Sequence, residues 1–589
     1  MTLAFQGIGI GTPNSIALGP AFVDIRGQGG VTHAPIGADE IQDEIARFDL
    51  AVEAARGALK RVHAQIPPDT PIEIVEFIDT HLLMLEDTAL IDGVRHIVAE
   101  QLCTAEWALQ RQRDTLIAVF DRMDDPYLRT RRDDIEHVVR QIQIFLRGEP
   151  SEPALAPRDL DGYVVVARDL MPADAILLHH RGAVAFVTEY GGPMSHTAIL
   201  ARSLGVPAVM GLHDISRYLR AGELLIVDSA GGTVIANADA RIVDDYRRRL
   251  REIRARQGRL RALVDRPTRT RDGVEIRLQA NLELAEDVEL AKANGAHGVG
   301  LYRTEFLYMN RTDLPDEEEH LADYSAMLAA LDGRPITIRT LDLGVDKHSE
   351  ALARPGSNVS NPALGLRAIR LCLKEPELFR PQVRAILRAS ALGPVRLMLP
   401  LVTSVHELDR ALAIIAELKR QLDRDGLAYD DAMPVGAMIE VPAAALTARA
   451  IARRMDFLSI GTNDLIQYTL AIDRLDDAVN DLFDPVHPAI LRLIRLTIEA
   501  GHALDVPVGM CGEMAGDPRF TRLLLGMGLR EFSMQPGALL DIKEILLESD
   551  VGELEHQVTR FLAQLDEHDP VHLLAALNAG SLSTPVVKG

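Results

Sequence analysis

The chain has 589 residues, enough for about three or four domains that each bury their own core. Its formal net charge of −23 argues against nucleic acid as a partner, and no apolar run approaches the roughly 18 residues that a membrane span needs. The N-terminus lacks the pattern of a signal peptide, and Cys103, Cys372 and Cys511 are too far apart for a disulfide framework or a zinc motif, so we expect a cytoplasmic protein.

Residues 1–30 and 150–236 together predict one α/β domain. Short apolar runs between glycines indicate strands near the N-terminus, and strand patterns return at Tyr163–Ala167 and Leu224–Asp228. Between these parts, residues 31–149 place apolar residues three and four positions apart, which predicts an inserted bundle of about four helices. A segment rich in proline, residues 148–157, is expected to end the insert.

A glycine-rich turn in this domain carries a histidine. The apolar run Ala183–Val187 predicts a buried strand, and Gly191 and Gly192 turn the chain into an amphipathic helix for which Ser195 is a suitable N-cap. His196 would therefore begin a helix, where free N–H groups and the helix dipole favour an anion such as a phosphohistidine. An isolated histidine in such a turn is more often incidental than functional, so a role for His196 depends on motifs elsewhere in the chain.

Residues 237–265 predict a linker helix with nine arginines between positions 241 and 261. Acidic residues are interleaved and no aromatic residues suited to base stacking accompany them, which favours a solvated connecting helix over a nucleic-acid surface.

Residues 266–575 alternate strand and helix patterns and predict a (β/α)8 barrel, with residues 576–589 as a tail. Enzymes of this fold place their chemistry at the C-terminal ends of the strands. The eight apolar segments are Ile276–Ala280, Val299–Tyr302, Ile336–Thr340, Leu397–Leu401, Val435–Ile439, Phe457–Ile460, Val506–Met510 and Phe532–Met534.

Polar residues with matching chemistry follow these segments: Asn281, Arg303, Arg339, Glu440, Asn463, Asp464 and Cys511. Arginine forks bind phosphate and carboxylate, and Arg474 adds a cation just downstream. The carboxylates of Glu440 and Asp464 suit a hard divalent ion such as Mg²⁺, and Asn463 can hydrogen-bond a phosphate oxygen. Cys511 is either a small core residue or, beside a metal and phosphate site, a candidate general acid.

Two segments, Gly191–Arg202 and Asp456–Tyr468, resemble the histidine and phosphoenolpyruvate-binding signatures of enzyme I of the bacterial sugar phosphotransferase system. The histidine signature also occurs in pyruvate phosphate dikinase and phosphoenolpyruvate synthase. The resemblance implies phosphorylation of His196 by phosphoenolpyruvate, release of pyruvate and transfer to the phosphocarrier HPr. It further implies that the helical insert, including His81–Asp87, docks HPr, and that the protein is a homodimer through its barrels.

The resemblance also assigns roles at the barrel. It implies that Arg303, Arg339 and Arg474 bind substrate, that Asn463 binds the phosphoryl group and that Cys511 donates a proton. Glu440 and Asp464 would bind Mg²⁺, with Asp464 also beside the substrate. The departures are Val345, where a glycine is expected after Gly344, the pair Pro193 and Met194, and a weakly matched tail after about Glu567.

Two other functions remain to be weighed. A dikinase or synthase would need an ATP-grasp domain, which nothing in the chain resembles, and a regulatory phosphoprotein would only signal nutrient state. A nitrogen-branch enzyme I would add an N-terminal sensory domain, which we expect this chain to lack. Because His196 and the barrel fall in different predicted domains, we expect hinges near residues 148–157 and 230–265.

Overall fold

The chain forms two compact units, residues 1–256 and 257–589. The computed structural model describes residues 2–10, 16–24, 33–65, 72–120, 126–148, 160–170, 172–192, 195–308, 311, 313–343, 362–473, 479 and 482–580. No helix in these ranges combines the length and apolar character that crossing a membrane requires.

The first unit contains an eight-stranded sheet whose central strands are apolar and buried. Strands β3, β4, β5 and β6 are parallel neighbours, and the remaining pairs of the order β1-β8-β7-β3-β4-β5-β6-β2 are antiparallel. The strands are β1 (Leu3–Gln6), β2 (Ile8–Ile10), β3 (Ile16–Asp24), β4 (Val164–Ala167), β5 (Ala185–Thr188), β6 (Ala208–Met210), β7 (Leu224–Asp228) and β8 (Thr233–Ala236). The N-terminal strands thus pair with strands that follow residue 160, which confirms the predicted insertion of a helical segment into an α/β fold.

The inserted segment has five described helices rather than about four. They are α1 (Ile41–Gln65), α2 (Ile72–Met84), α3 (Thr88–Gln101), α4 (Ala105–Phe120) and α5 (Pro126–Leu146). Prolines mark the breaks before α2 and α5 in the sequence, but none marks the short breaks on either side of α3, so the number of helices was harder to predict. The Asp87 side chain accepts the N–H of Ala89 and starts α3, and Leu102 ends that helix with a φ of 47°.

Three more helices complete the first unit: α6 (Pro172–His180), α7 (His196–Ser203) and α8 (Ala240–Arg261), the last of which continues into the second unit. Most arginines of α8 are exposed, and Arg248 and Arg249 pair with Asp245 on the same helix. This arrangement agrees with the predicted solvated connecting helix.

The second unit is a closed barrel of eight parallel strands, as the sequence predicts. The strands are β9 (Arg277–Leu282), β10 (Val299–Tyr302), β11 (Ile336–Arg339), β12 (Val395–Leu399), β13 (Val435–Ile439), β14 (Phe457–Ile460), β15 (Val508–Met510) and β16 (Glu531–Met534). All eight overlap the predicted segments and differ from them by at most two residues at an end. Strand β16 pairs with β9 and closes the barrel.

Helices surround the barrel and bury their apolar faces against it. They are α9 (Asp287–Ala293), α10 (Glu317–Leu331), α11 (Ala368–Lys374), α12 (Pro376–Ser390), α13 (Val405–Asp425), α14 (Pro442–Leu446), α15 (Ala448–Ala452), α16 (Thr462–Leu470), α17 (Pro488–His502), α18 (Thr521–Gly526), α19 (Leu539–Glu548), α20 (Val551–Ala563) and α21 (Pro570–Asn578). Capping boxes start α10 at Asp316 and α13 at Ser404, because each cap and the glutamate three residues later satisfy each other's N–H groups.

Candidate active site

A cavity of 340 Å³ opens at the C-terminal ends of the barrel strands. Parallel strands of a closed barrel end on one face, so residues that are distant in sequence meet there. The structure brings six of the predicted residues to this cavity: Arg303 after β10, Arg339 at the end of β11, Glu440 after β13, Asn463 and Asp464 in the first turn of α16, and Cys511 after β15.

The two arginines are held by carboxylates of neighbouring loops. Arg303 pairs with Glu283, which follows β9. Arg339 is buried, and its Nη atoms lie 2.9 Å from both Glu305 and Asp342. Burial would lower the pKa of Arg339, but Glu305 and Asp342 outweigh it and raise the pKa above its usual value. The guanidinium is therefore a fixed positive charge inside the cavity.

Three carboxylates converge beside the arginines. Asp342, Glu440 and Asp464 place one oxygen each within 4.8 Å of one another, which could hold a metal ion. Oxygen donors of this kind suit a hard divalent cation. Sequence reasoning missed Asp342 because it follows β11 in an apolar context and reads as an ion-pair partner. Its position three residues beyond barrel strand β11 was the available signal.

Asp342 also forms an ion pair with a second arginine, Arg367. Its Oδ1 lies 2.9 Å from Nη2 of Arg367, which precedes α11 and lines the same cavity. Arg367 was also missed, since nothing in its local sequence marks it. Because Asp342 holds Arg339 and Arg367 together, the cavity presents a pair of oriented guanidinium groups.

The backbone around Glu440 is fitted closely to its side chain. Leu401, with a left-handed φ of 53°, donates its N–H to Glu440 Oε1 at 2.5 Å. A Cβ on Gly461 would lie 2.9 Å from Glu440 Oε2, so any larger residue there would push the Glu440 carboxylate out of its position. Burial raises the pKa of Glu440, and the nearby carboxylates of Asp342 and Asp464 raise it further. A cation among these carboxylates would relieve that repulsion.

Cys511 places a thiol at the floor of the cavity. Its Sγ accepts a hydrogen bond from Ser459 Oγ at 3.2 Å and packs with Leu301, Met398, Met438 and Phe457. Burial raises the pKa of the Cys511 thiol, so it is protonated at neutral pH. Asn281 lies beneath it, since its Nδ2 donates to the Cys511 carbonyl at 2.9 Å.

Asn463 is engaged with the loop after β15. Its Nδ2 donates to Glu513 Oε1 at 2.9 Å, and its Oδ1 accepts the Glu513 N–H at 3.0 Å. These two bonds orient the amide at the cavity rim. Binding of a phosphate oxygen by the Asn463 amide would need the Nδ2 bond to Glu513 to be exchanged.

The predicted phosphorylation loop lies in the first unit. Strand β5 ends at Thr188, Gly191 has a φ of 101°, and Ser195 caps α7, whose first residue is His196. The Ser195 Oγ accepts the N–H of Ala198 at 3.3 Å, which confirms the predicted cap. The backbone therefore presents position 196 at a helix N-terminus, where anions are favoured. Orientation of the His196 side chain lies outside the described structure, as do Pro193, Met194, Val345 and Arg474.

Three family descriptions match this chain in succession. "PEP-utilising enzyme, N-terminal" matches residues 8–131, "PEP-utilising enzyme, mobile domain" matches residues 160–232, and "PEP-utilising enzyme, PEP-binding domain" matches residues 257–551. The last of these contains every cavity residue, and the mobile-domain match contains His196.

Close relatives extend over nearly the whole chain. A phosphoenolpyruvate-protein phosphotransferase of Cupriavidus necator is 46% identical over 580 residues, which cover 97% of this chain and 98% of the relative. A protein of the same name from Listeria innocua is 37% identical over 572 residues, with 97% of this chain and 99% of the relative covered.

Proposed function

Because the chain belongs to the phosphoenolpyruvate-protein phosphotransferase family, we propose that it transfers the phosphoryl group of phosphoenolpyruvate to His196 and releases pyruvate. The phosphohistidine then passes the group to a histidine of HPr, which serves sugar uptake. One observation carries this proposal: arginines, carboxylates and a protonated thiol meet in a single cavity at the active end of the barrel.

Arg303 and Arg339 bind the two anionic groups of phosphoenolpyruvate, with Arg474 as a third cation. Both described arginines are held by carboxylates, so the substrate enters a set of oriented guanidinium groups rather than flexible ones. Bidentate bonds from such groups fix the phosphate and carboxylate relative to each other. The Asn463 amide, at the rim, binds the phosphoryl group.

Glu440 and Asp464 hold Mg²⁺ in this proposal, and Asp342 adds a third oxygen close to both. The ion, when bound, neutralises charge on the phosphoryl group. The residues fit it because all donors are carboxylate oxygens, and because burial together with the charges of Asp342 and Asp464 raises the pKa of Glu440 in the absence of a cation.

The reaction breaks the bond between phosphorus and the enol oxygen and forms one between phosphorus and a nitrogen of His196. The electron pair of the broken bond leaves on the enol oxygen, and the resulting enolpyruvate takes a proton at its methylene carbon. Cys511 donates that proton, since its raised pKa keeps the thiol protonated. The N-terminus of α7 stabilises the phosphohistidine that forms.

The remaining assignments follow the same family pattern. Residues 31–149 dock HPr, residues 1–30 and 150–236 form the phosphohistidine domain, and residues 237–265 link it to the barrel of residues 266–575, followed by a tail at 576–589. The barrel mediates a homodimer, and the buried, unpaired thiols suit the cytoplasm. His196 and the cavity lie in different compact units, so the phosphohistidine domain moves between phosphoenolpyruvate and HPr.

The test is incubation with phosphoenolpyruvate and Mg²⁺, followed by intact-mass spectrometry. The wild-type protein should gain one phosphate that is labile in acid and stable in base, and His196→Ala should gain none. His180→Ala, which removes an exposed histidine of the same unit, is the matched control and should be phosphorylated normally. Phosphate on the His196→Ala protein would refute the assignment.

A further inference from the structure

Asp169 lies between strand β4 and helix α6, and its side chain contacts the helical insert. It follows β4 closely, and its Oδ2 lies 3.2 Å from Nε2 of His137 on α5. Arg140, one turn further along α5, donates to the Asp169 carbonyl at 3.4 Å. The insert therefore holds both the side chain and the backbone of Asp169.

The next residue carries this connection to the helix that begins with His196. The carbonyl of Leu170 accepts a hydrogen bond from Thr197 Oγ1 at 2.7 Å, and both residues are buried. Thr197 is the immediate neighbour of His196 in α7. Consecutive residues, Asp169 and Leu170, thus bind α5 on one side and the first turn of α7 on the other.

The charge state of the Asp169 carboxylate strengthens its hydrogen bond with His137. Burial raises the pKa of Asp169, but the hydrogen bond and charge of His137 and the charge of Arg140 outweigh it and lower the pKa. The carboxylate is therefore ionised at neutral pH. An ionised acceptor in a largely buried setting makes a stronger hydrogen bond than a neutral one.

We propose that Asp169 is a positioning residue for His196, which fixes the first turn of α7 against helix α5 of the insert through His137 on one side and Thr197 on the other. This inference rests on the proposed phosphorylation of His196. Phosphoryl transfer needs the accepting nitrogen in line with the bond that breaks, and a misplacement of about 1 Å costs on the order of 100-fold in rate.

The two contacts act in series, so breaking either one should release α7. The test is a double-mutant cycle with His137→Gln, Thr197→Val and the double variant, measured as the single-turnover rate of phosphorylation by phosphoenolpyruvate. Each single variant should be slower by about 10-fold, and the double variant should be slower by about the same factor rather than about 100-fold. The KM for phosphoenolpyruvate should not change, because the cavity lies in the other unit.

His63→Gln is the matched control, because His63 contacts Asp79 at 3.4 Å between α1 and α2 of the same bundle without touching this path. Its phosphorylation rate should equal that of the wild type. Rates that multiply in the double variant, or variants that change only the melting temperature, would mean that the contacts merely support the fold and would overturn the proposal.

Amide hydrogen exchange separates this inference from the proposed function. In unphosphorylated protein, the N–H of Ala198, which donates to Ser195 Oγ, should exchange several-fold faster than in the wild type in both single variants, and no faster in the double variant than in either single variant. If the wild type takes up no phosphate, the proposed function fails, yet this exchange pattern would still support the positioning role. Unchanged exchange would overturn it.

Discussion

At the scale of single residues, the three clustered carboxylates of the cavity, Asp342, Glu440 and Asp464, have different surroundings. Asp342 is bonded to Arg339 and Arg367, whereas Glu440 accepts a backbone N–H and Asp464 lies in the first turn of α16. The Asp342 carboxylate already forms ion pairs with two guanidinium groups. For the proposed metal site we therefore expect Glu440 and Asp464 to be the stronger ligands, with Asp342 mainly orienting the arginines.

Glu440→Gln and Asp464→Asn should each reduce Mg²⁺ affinity and the rate of His196 phosphorylation by on the order of 100-fold, because each replaces an anionic oxygen ligand with a neutral amide. The measurement is a Mg²⁺ titration of the phosphorylation rate. Asp323→Asn is the control, since this carboxyl bonds Tyr302 Oη outside the cavity, and its titration should match the wild type. Normal rates for the double variant in chelator would contradict the metal role.

Cys511→Ser should slow protonation of enolpyruvate by on the order of 100-fold and reduce phosphorylation of His196 less. Wild-type pyruvate released in deuterated water should carry label with defined stereochemistry, because a fixed thiol delivers the proton to one face. The variant should lose that bias. Cys372→Ser is the matched control, because Cys372 is a buried thiol on α11 outside the cavity, and its product should keep the wild-type stereochemistry.

The sequence allowed us to predict a cavity residue only where that residue follows a recognisable strand. Arg303, Glu440 and Cys511 each directly follow a recognisable apolar segment, so barrel topology brings them together. Arg367 precedes a helix and reaches the site through Asp342, a contact between segments 25 residues apart that no spacing rule contains. The bond between Asn463 and Glu513 was equally unpredictable, since it joins the ends of two different strands.

At the scale of elements, helix α10 contains a buried histidine that ties it to its surroundings. His320 lies between Tyr308 and Tyr324, and each of its ring nitrogens is 3.1 Å from a tyrosine hydroxyl. Burial lowers the pKa of His320 to about 4, so the ring is neutral in the folded barrel. Protonation would leave a buried charge and break one of these bonds.

This depressed pKa predicts a pH dependence of stability. Below its usual value of about 6.5, the unfolded chain binds a proton that the folded protein does not, so stability falls from about pH 6.5 to about pH 4 and is fully present above that range. The free energy of unfolding of the wild type, relative to His320→Gln, should decrease by about 3 kcal/mol across this window. Denaturant unfolding at several pH values measures it, and a constant difference would contradict the prediction.

Helices and strands could be predicted from the sequence where particular residue types mark their ends. The eight barrel strands are short, largely apolar segments separated by helical stretches, which is typical of parallel strands in alternating β/α units. The number of helices in the insert was harder to predict, because α3 and α4 are separated only by Leu102 in a left-handed conformation and a short turn. A positive φ at leucine has no signature in sequence and persists because packing around it is favourable.

At the scale of the whole molecule, His196, the proposed site of phosphorylation, and the barrel cavity belong to separate compact units, and the boundary between these units in the chain falls within helix α8. Each unit has its own apolar core: the barrel core is continuous with its helices, and the first unit has cores on both faces of its sheet. Such units fold independently when separated at an exposed connection, and α8 is largely exposed. The two halves of the proposed reaction should therefore be separable.

A fragment of residues 1–256 should accept phosphate from phospho-HPr at His196 but gain none from phosphoenolpyruvate, since the barrel with its arginines and carboxylates is missing. Intact-mass spectrometry measures both transfers, and the same fragment with His196→Ala, the control for specificity, should gain none from either donor. Because the helical insert and the capped turn before His196 are intact in this fragment, its transfer from phospho-HPr should proceed at nearly the rate of the full chain. Direct phosphorylation by phosphoenolpyruvate would refute the division of labour, and failure to accept phosphate from phospho-HPr would refute the assignment of docking to the first unit.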